Sequence, residues 1–162
     1  MRDILEGESN GELNVNSRSR DPRARVLSAL ANRPFSMIGA GMFASFEGFF
    51  NGIKYHYDDP RRRRAFASSF GYAQRFGDEA QNEWVWWHGK HIASGSPEYR
   101  DLIKRAHRES IMQNPDRMQA LIDSAGLVIT HFIGTPSPPD SPYSHDDFCA
   151  ELTEFREELL RQ

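Results

Sequence analysis

Three helix starts marked by proline constrain the fold of this chain more than any other feature of its sequence. In each of them a short polar or acidic residue stands directly before a proline, as in Asp59–Pro60, Ser96–Pro97 and Asn114–Pro115. The first residue can accept a hydrogen bond from the free N–H groups of the first helical turn. Proline suits the next position because its missing N–H has no helical partner there. A fourth start, from Ser144 to Asp147, fits a capping box with Asp in place of Glu.

The spacing of apolar residues predicts the extent of the helices, including one that no proline marks. Residues 43–57 suit one helix, because their large apolar side chains recur at helical intervals, at Phe46, Phe50, Ile53 and Tyr57. One helix is expected after Pro60, and short strands only in LVITHFI and MIGAGMF. The expected fold class is therefore mainly α: a compact multihelical single domain of about five or six helices, with little or no β-strand.

The first 25 residues differ from the remainder in composition. Residues 1–25 hold few large apolar side chains and many Asn, Ser, Gly and charged residues. Such a segment rarely forms a core alone. We therefore divide the chain into an extended N-terminal arm at 1–25 and a helical domain at 26–162. Binding to a protein partner is one way in which the arm could become ordered.

Composition also sets the class of protein. A chain of 162 residues with a net charge of −3 is typical of a globular domain and gives no global case for binding nucleic acid. Its lone cysteine, Cys149, can form no intramolecular disulfide and falls among apolar positions, which favours packing over a nucleophilic role. No segment has the apolar length of a signal peptide or a membrane span, so we expect an intracellular, cytoplasmic protein that does not contact a membrane.

Three polar residues of the 43–57 segment form a stripe beside its apolar face. At 100° per residue, Glu47, Asn51 and Lys54 lie within about 60° of one another. Side chains at the edge of a buried face often line a cleft. A charged stripe is more commonly just solvated, and both interpretations stay open at this point.

Other candidate binding groups also have ordinary interpretations. The run from Arg61 to Arg64 could contact phosphate, but consecutive helical residues point all round a helix, which favours a solvated face. Trp84, Trp86 and Trp87 could stack on a flat base or fill a core. The six histidines show no metal-ligand spacing, and the chain has no Walker loop, GxGxxG or nucleophile elbow. We expect neither a metal nor a cofactor.

Four blocks of sequence follow the order of one protein family. FEGFFNGIKY at 46–55 stands where the family has a pattern like VEHxFQAxKF, so Glu47 and Lys54 keep the separation of its Glu and Lys. A tryptophan segment, NEWVWWHGK, comes next. AHRESIMQNPDRMQALIDSAG at 106–126 matches a pattern like AxxxKFxQNPxLxxxLLxTG, and LTEFREEL at 152–159 matches LxxIRxxL. In these blocks the chain resembles the NADAR, or YbiA-like, proteins.

The resemblance implies an enzyme, an N-glycosidase. Such a hydrolase cleaves the C1–N ribosyl bond of an ADP-ribosylated base, in nucleic acid or nucleotide, or of a phosphoribosyl pyrimidine of the riboflavin pathway. Glu47 would stabilise an oxocarbenium-like transition state or activate water. Lys54 would hold the ribose or phosphate, or attack C1 as an amine. Substrate binding would fall to pocket-shaping side chains and one stacking indole, which are Asn51, Tyr55, and Trp86 or Trp87.

The chain also departs from the family pattern. The His that follows the family's Glu is Gly48 here, and its Gln is Asn51. The late family motif resembles DxxWGxG, whereas the corresponding loop reads PDSPYS, which makes Asp140 the counterpart of its Asp and a further expected binding residue. A second hypothesis therefore stands beside the enzyme: a non-catalytic structural or assembly protein that keeps the fold and docks through residues 1–25.

Overall fold

The structure is a computed structural model that describes residues 2–162 as two compact units. The first unit comprises the chain up to Ser28 together with Asn114–Gln162, and the second is Ala29–Gln113. The helices of the described residues are α1 Pro22–Leu27, α2 Phe46–Gly52, α3 Pro60–Phe66, α4 Phe70–Glu79, α5 Pro97–Met112, α6 Pro115–Asp123 and α7 His145–Leu160. The strands are β1 Glu8–Ser9, β2 Glu12–Asn14, β3 Phe35–Met37, β4 Gly41–Phe43, β5 Trp84–Trp87, β6 Lys90–Ala93 and β7 Val128–Thr130.

The expected fold class is wrong. Over the described residues the protein is mixed α/β, with 44% helix, 14% strand and three small sheets. Its strands have two to four residues each. A run that short shows too few alternations for a period of two to stand out in the sequence. Within residues 2–162, no helix combines the length and the apolar character needed to cross a membrane.

In the first unit, strands from the two ends of the chain share one sheet. β2 pairs antiparallel with β1 and parallel with β7. The buried Asn14 extends the pairing, because its Nδ2 donates to Phe132 O at 2.9 Å and its Oδ1 accepts from Phe132 N at 2.6 Å. Arg23 adds ion pairs with Glu8 at 2.6 Å and Asp21 at 2.7 Å. Residues 2–25, expected as an extended arm, are thus ordered by contacts with their own chain.

α6 and α7 begin where the sequence predicts, whereas α1 begins at Pro22, inside the segment expected as an extended arm. α6 starts at Pro115 with Asn114 before it in extended conformation, and α7 starts behind the capping box formed by Ser144 and Asp147. Their buried side chains meet those of α1 and the sheet, and the core consists of Leu13, Ala24, Leu27, Ala120, Leu121, Ile129, Phe148, Leu152 and Phe155.

In the second unit, two hairpins and three of its helices enclose an aromatic core. Phe43 of β4 packs edge-on against Phe49 of α2 and Phe66 of α3, with ring centroids 5.1 and 4.8 Å apart. The β5–β6 hairpin turns through His88 and Gly89, both of positive φ (47° and 75°). Two such residues suit the tight hairpin turn whose twist matches that of its strands. Alternation along β5 then buries Val85 and Trp87 and turns Trp84 and Trp86 outward.

The single helix expected after Pro60 is two helices. α3 ends at Phe66 and α4 begins at Phe70, whose φ of 53° cannot continue a right-handed helix. The N–H of Phe70 instead donates to Leu30 O at 2.8 Å, which fixes the bend. The result is that α3 and α4 both pack against α2.

Candidate functional site

The site is built on α2, which is shorter than the expected 43–57 helix. Ser45 caps it by accepting from Gly48 N at 2.9 Å, and its hydroxyl donates to Ser68 O at 2.8 Å. The inward face carries Phe46, Phe49 and Ile53, whereas Phe50 is half-buried and Tyr57 is 42% exposed. The expected inward set was therefore wrong at Phe50 and Tyr57.

The polar stripe of α2 forms one hydrogen-bond network. Asn51 Nδ2 donates to Glu47 Oε1 at 3.1 Å and to Ala73 O at 2.9 Å. Lys54 Nζ donates to Asn51 Oδ1 at 3.0 Å. Lys54 reaches back in this way because tight turns continue beyond the helix, with its own N–H donating to Asn51 O at 3.2 Å. The amide of Asn51 thus lies between a carboxyl group and an amine, and the three residues are brought together as their spacing predicted.

Burial changes the ionisation of both charged groups of the network. Burial raises the pKa of Glu47 above its ordinary value, while the charge of Lys54 and the Asn51 hydrogen bond oppose that rise. Burial lowers the pKa of Lys54, and the charge of Glu47 opposes that fall. Both residues are half-buried rather than fully buried. A carboxyl and an amine whose pKa values are pulled toward one another are typical of proton-transfer and nucleophilic chemistry.

Two glycines let neighbouring helices approach this network. A Cβ at Gly48 would lie 2.5 Å from Ala65 O of α3 and 2.7 Å from Ser68 O in the link that follows α3. The family's His therefore has no room here, because α3 fills the space of its side chain. A Cβ at Gly77 of α4 would lie 2.7 Å from Asn51 Oδ1. The absence of a side chain at Gly77 is what allows α4 to lie directly behind the amide.

Tyr55 is next to the network in sequence, but its side chain contacts α4. The ring is buried, its hydroxyl donates to Phe76 O, and the Arg61 guanidinium lies 4.7 Å above its centroid. Burial raises the pKa of this hydroxyl. Tyr55 therefore fixes the turn after α2 against α4, and its buried ring supports the site without facing solvent.

The two tryptophans proposed to stack on a base lie on opposite faces of β5. Trp87 is 6% exposed and packs edge-on against Phe49 at 5.5 Å. Trp86 is half-buried. Its backbone N–H donates to Ile53 O at 2.8 Å, which places the residue beside the turn that holds Lys54. Its ring lies 5.1 Å from His91. Of the two, Trp86 is the one that is not fully buried.

Comparison with known proteins identifies the family and the fold. The family described as "Bacteriophage protein GP30.3" matches residues 22–157, most of the chain. This chain belongs to the GP30.3 family. The NMR structure of the E. coli protein YbiA superposes on it with a TM-score of 0.60 and 16% identity, covering 98% of this chain and 90% of that chain. No curated protein matches the chain in sequence.

The fold of this GP30.3 family member is therefore YbiA-like. The resemblance to the NADAR, or YbiA-like, proteins is confirmed at the level of the fold. An identity of 16% shows the fold alone, so the activity is argued below from the residues of this chain.

Other residues of the matched blocks have structural roles in this chain. Gln113 acts as a strand partner for Ser36: its Oε1 accepts from Ser36 N and its Nε2 donates to Ser36 O, both at 2.8 Å. In the arginine run, Arg62 is the buried member and donates to Tyr55 O and Trp86 O, each at 2.9 Å. Asp140 is exposed in the proline-rich loop of the first unit, whereas Glu47 and Lys54 belong to the second.

Three contributors to the site come from α4 and were missed in the sequence. Ala73 supplies a carbonyl, Gly77 supplies space, and Asp78 supplies a negative charge that raises the pKa of Glu47. No motif marks them, because their roles depend on how α4 packs on α2. The available signal was the small residue at both 73 and 77, one helical turn apart, which favours close helix approach.

Proposed function

We propose that this GP30.3 family member is an N-glycosidase. Its substrate would be an ADP-ribosylated base or a phosphoribosyl pyrimidine, and water would replace the base at C1 of the ribose. The observation that carries the proposal is the Glu47 carboxyl group, which belongs to a half-buried residue and is bonded through Asn51 to Lys54. The YbiA-like fold supports it, because the resemblance assigns these two positions to the family's Glu and Lys.

Glu47 suits the charge that develops during this reaction. When the C1–N bond breaks, its electron pair leaves with the base, and positive charge spreads over C1 and the ring oxygen. An ionised carboxylate in a partly buried site stabilises that charge more than it would in water. The same group can instead take a proton from the attacking water. Lys54 and Asn51 support both roles, because both lower the pKa of Glu47 and so favour its ionised form.

Lys54 has two possible roles that differ in protonation state. As an ammonium ion it would bind a ribose hydroxyl or a phosphate. As a neutral amine, which its lowered pKa favours, it would attack C1, displace the base and form an imine after ring opening. Borohydride reduces such an imine, so a ribose adduct on the peptide carrying Lys54 would establish the second role. An active enzyme that gives no adduct would establish the first.

The half-exposed ring of Trp86 is the proposed stacking surface for the base. The backbone of Trp86 is held by two hydrogen bonds, because its backbone N–H donates to Ile53 O and its carbonyl accepts from Arg62. A rigid backbone keeps the indole at a fixed place relative to the turn that carries Lys54. Stacking of one base on such a ring contributes about 1–3 kcal/mol.

Release of ribose product from a substrate panel tests the proposal. Wild type and Glu47→Gln would be incubated with DNA carrying ADP-ribosylated guanine and with the phosphoribosyl pyrimidine. We expect wild type to release product and Glu47→Gln to be slower by about 1,000-fold, as for loss of a group acting in the transition state. Glu83→Gln, which changes an exposed carboxylate, is the matched control and keeps wild-type rates. If wild type releases no more product than Glu47→Gln on any of these substrates, the proposal fails.

A further inference from the structure

The amide of Asn51 has no donor left for a substrate, and its oxygen is buried. An amide offers two N–H donors and one oxygen with two lone pairs. Glu47 and Ala73 O use the two donors, and Lys54 donates to the oxygen. Asn51 is 1% exposed and α4 lies against its oxygen at Gly77, so the second lone pair is closed to a ligand. Binding a substrate through this amide would require breaking one of these bonds in a buried place, where an unpaired polar group is costly.

The bonds of Asn51 also fix which way the amide points. The carbonyl of Ala73 can only accept, so it holds the NH₂ end on the side of Glu47 and leaves the oxygen for Lys54. One turn further along α4, the helix also contacts the amide at Gly77, where it carries no side chain. The orientation of the amide is thus set by α4, although Glu47 and Lys54 both belong to the α2 segment.

We propose that Asn51 is a positioning residue that holds Glu47 and Lys54 in one arrangement, and that Gly77 is the backing position that keeps its amide in place. This goes beyond the proposed function by naming a residue that acts through the two reactive groups and a second residue on another helix. It rests on the proposed function only for its kinetic consequence.

Titration of Glu47 by carbon-13 NMR of its carboxyl group tests the arrangement without any substrate. The resonance is assigned by its loss in Glu47→Gln. The charged groups that act on Glu47 are Lys54 and, from α4, Asp78. We expect the pKa of Glu47 to rise in Asn51→Ala, which loses the donor. It should rise further in the isosteric Asn51→Asp, which adds a like charge.

Two glycines of α4 provide a matched pair for the backing position. Gly77→Ala places a methyl group within 2.7–2.9 Å of the Asn51 amide atoms, and since three bonds hold that amide, it can move only by breaking them. We expect the pKa of Glu47 to rise in this variant also. Gly71→Ala makes the same change on the same helix where nothing lies within 4 Å, and the titration should match wild type.

Kinetics on an accepted substrate form the second readout. We expect Asn51→Asp and Gly77→Ala to lower kcat by about 10- to 100-fold with a smaller change in KM, and to move the acid limb of the pH–rate profile upward. Gly71→Ala should be unchanged in both respects.

Each outcome separates this inference from the proposed function. If Glu47 titrates as in wild type in folded Asn51→Asp and Gly77→Ala, the positioning role is overturned whatever the activity. If its pKa moves as expected but no substrate is cleaved, the arrangement stands and the N-glycosidase proposal fails. Thermal unfolding confirms that each variant is folded. Should Asn51→Ala not fold, the isosteric Asn51→Asp and the remote Gly77→Ala still decide the question.

Discussion

The buried arginines of the first unit and the Glu47–Lys54 pair of the second unit are held in different ways. In the first unit, Arg117 is fully buried and donates to Leu27 O at 3.0 Å, and Arg156 donates to Ser124 O at 2.8 Å and its hydroxyl at 3.1 Å. In the second unit, Glu47 and Lys54 are only half-buried, and both bond to the Asn51 amide.

The difference separates groups that hold the fold from groups suited to chemistry. A guanidinium stays protonated at any physiological pH, and a backbone carbonyl near a helix end can only accept, so the bonds of Arg117 and Arg156 to backbone carbonyls have a single state. The carboxyl and amine of the second unit can exchange protons, and their pKa values are shifted in opposite directions. Neither residue is fully buried. Shifted ionisation together with access is what distinguishes a candidate site from a structural contact.

The largest effect on stability is expected at Arg117. Replacing it with Ala removes a fully buried side chain and leaves the carbonyls that it bonds without this donor. We expect the free energy of unfolding to fall by about 3 to 5 kcal/mol, measured by urea denaturation. Arg161→Ala, an exposed arginine of the same unit, should change it by no more than about 0.5 kcal/mol. A loss at Arg117 as small as this control would mean that its contacts do not hold the unit together.

A smaller effect is expected at Gly48, where the scaffold of the second unit touches the site. Ala at this position would bring Cβ to 2.5 Å from Ala65 O, a backbone atom that moves only with α3. Overpacking of this kind costs about 1–3 kcal/mol, partly offset by the better helix propensity of Ala. We expect a net loss of about 1 to 2 kcal/mol by thermal or urea unfolding. Gly71→Ala adds a Cβ with no atom within 4 Å and should be neutral or slightly stabilising. Equal stability of the two variants would show that α3 can shift to accommodate the new methyl group at position 48.

How much of the fold the sequence could predict depended on element length. Helix starts at Pro60, Pro97 and Pro115 were predictable, because a cap and a proline act within one turn. Of the strands, β7 lies within LVITHFI and β4 within MIGAGMF, where short strands were expected. Strands β1, β2, β5 and β6 were not predicted; β2, for example, has three residues and is stabilised by pairing with β7, over 100 residues away. A pairing between distant segments leaves no periodic signal in either one.

In the candidate site too, residues placed by local spacing were predictable and residues placed by packing between helices were not. Glu47, Asn51 and Lys54 were predictable as a group, since their spacing is local to one helix and the turn behind it. The contributions of α4, from Ala73 to Asp78, depend on helix packing and were not predictable. Local geometry also could not tell Trp86 from Trp87, because that distinction depends on which face of the hairpin meets the core.

The smallest effect, and the sharpest test of the comparison, is the stability of Glu47→Gln. Burial raises the pKa of Glu47 in the folded state above its ordinary value of 4.5. The stability that its protonated form contributes is complete below the ordinary pKa and is lost as the pH rises through the folded pKa. Gln cannot ionise and avoids this loss. The free energy of unfolding of the variant, relative to wild type, should therefore increase with pH across that window and be level on either side.

Lys54 allows that pH dependence to be assigned to the network. In wild type its charge lowers the pKa of Glu47 and so reduces the loss, and removing Glu47 also takes from Lys54 an attraction that raises its own pKa. In a Lys54→Met background both compensations are absent. The gain from Glu47→Gln should then be larger and extend to higher pH, measured by urea unfolding of all four proteins from pH 4 to pH 9. A gain that is independent of pH, or equal in the two backgrounds, would show that Glu47 is no more coupled to its surroundings than a surface carboxylate, and the contrast with the buried arginines would fail.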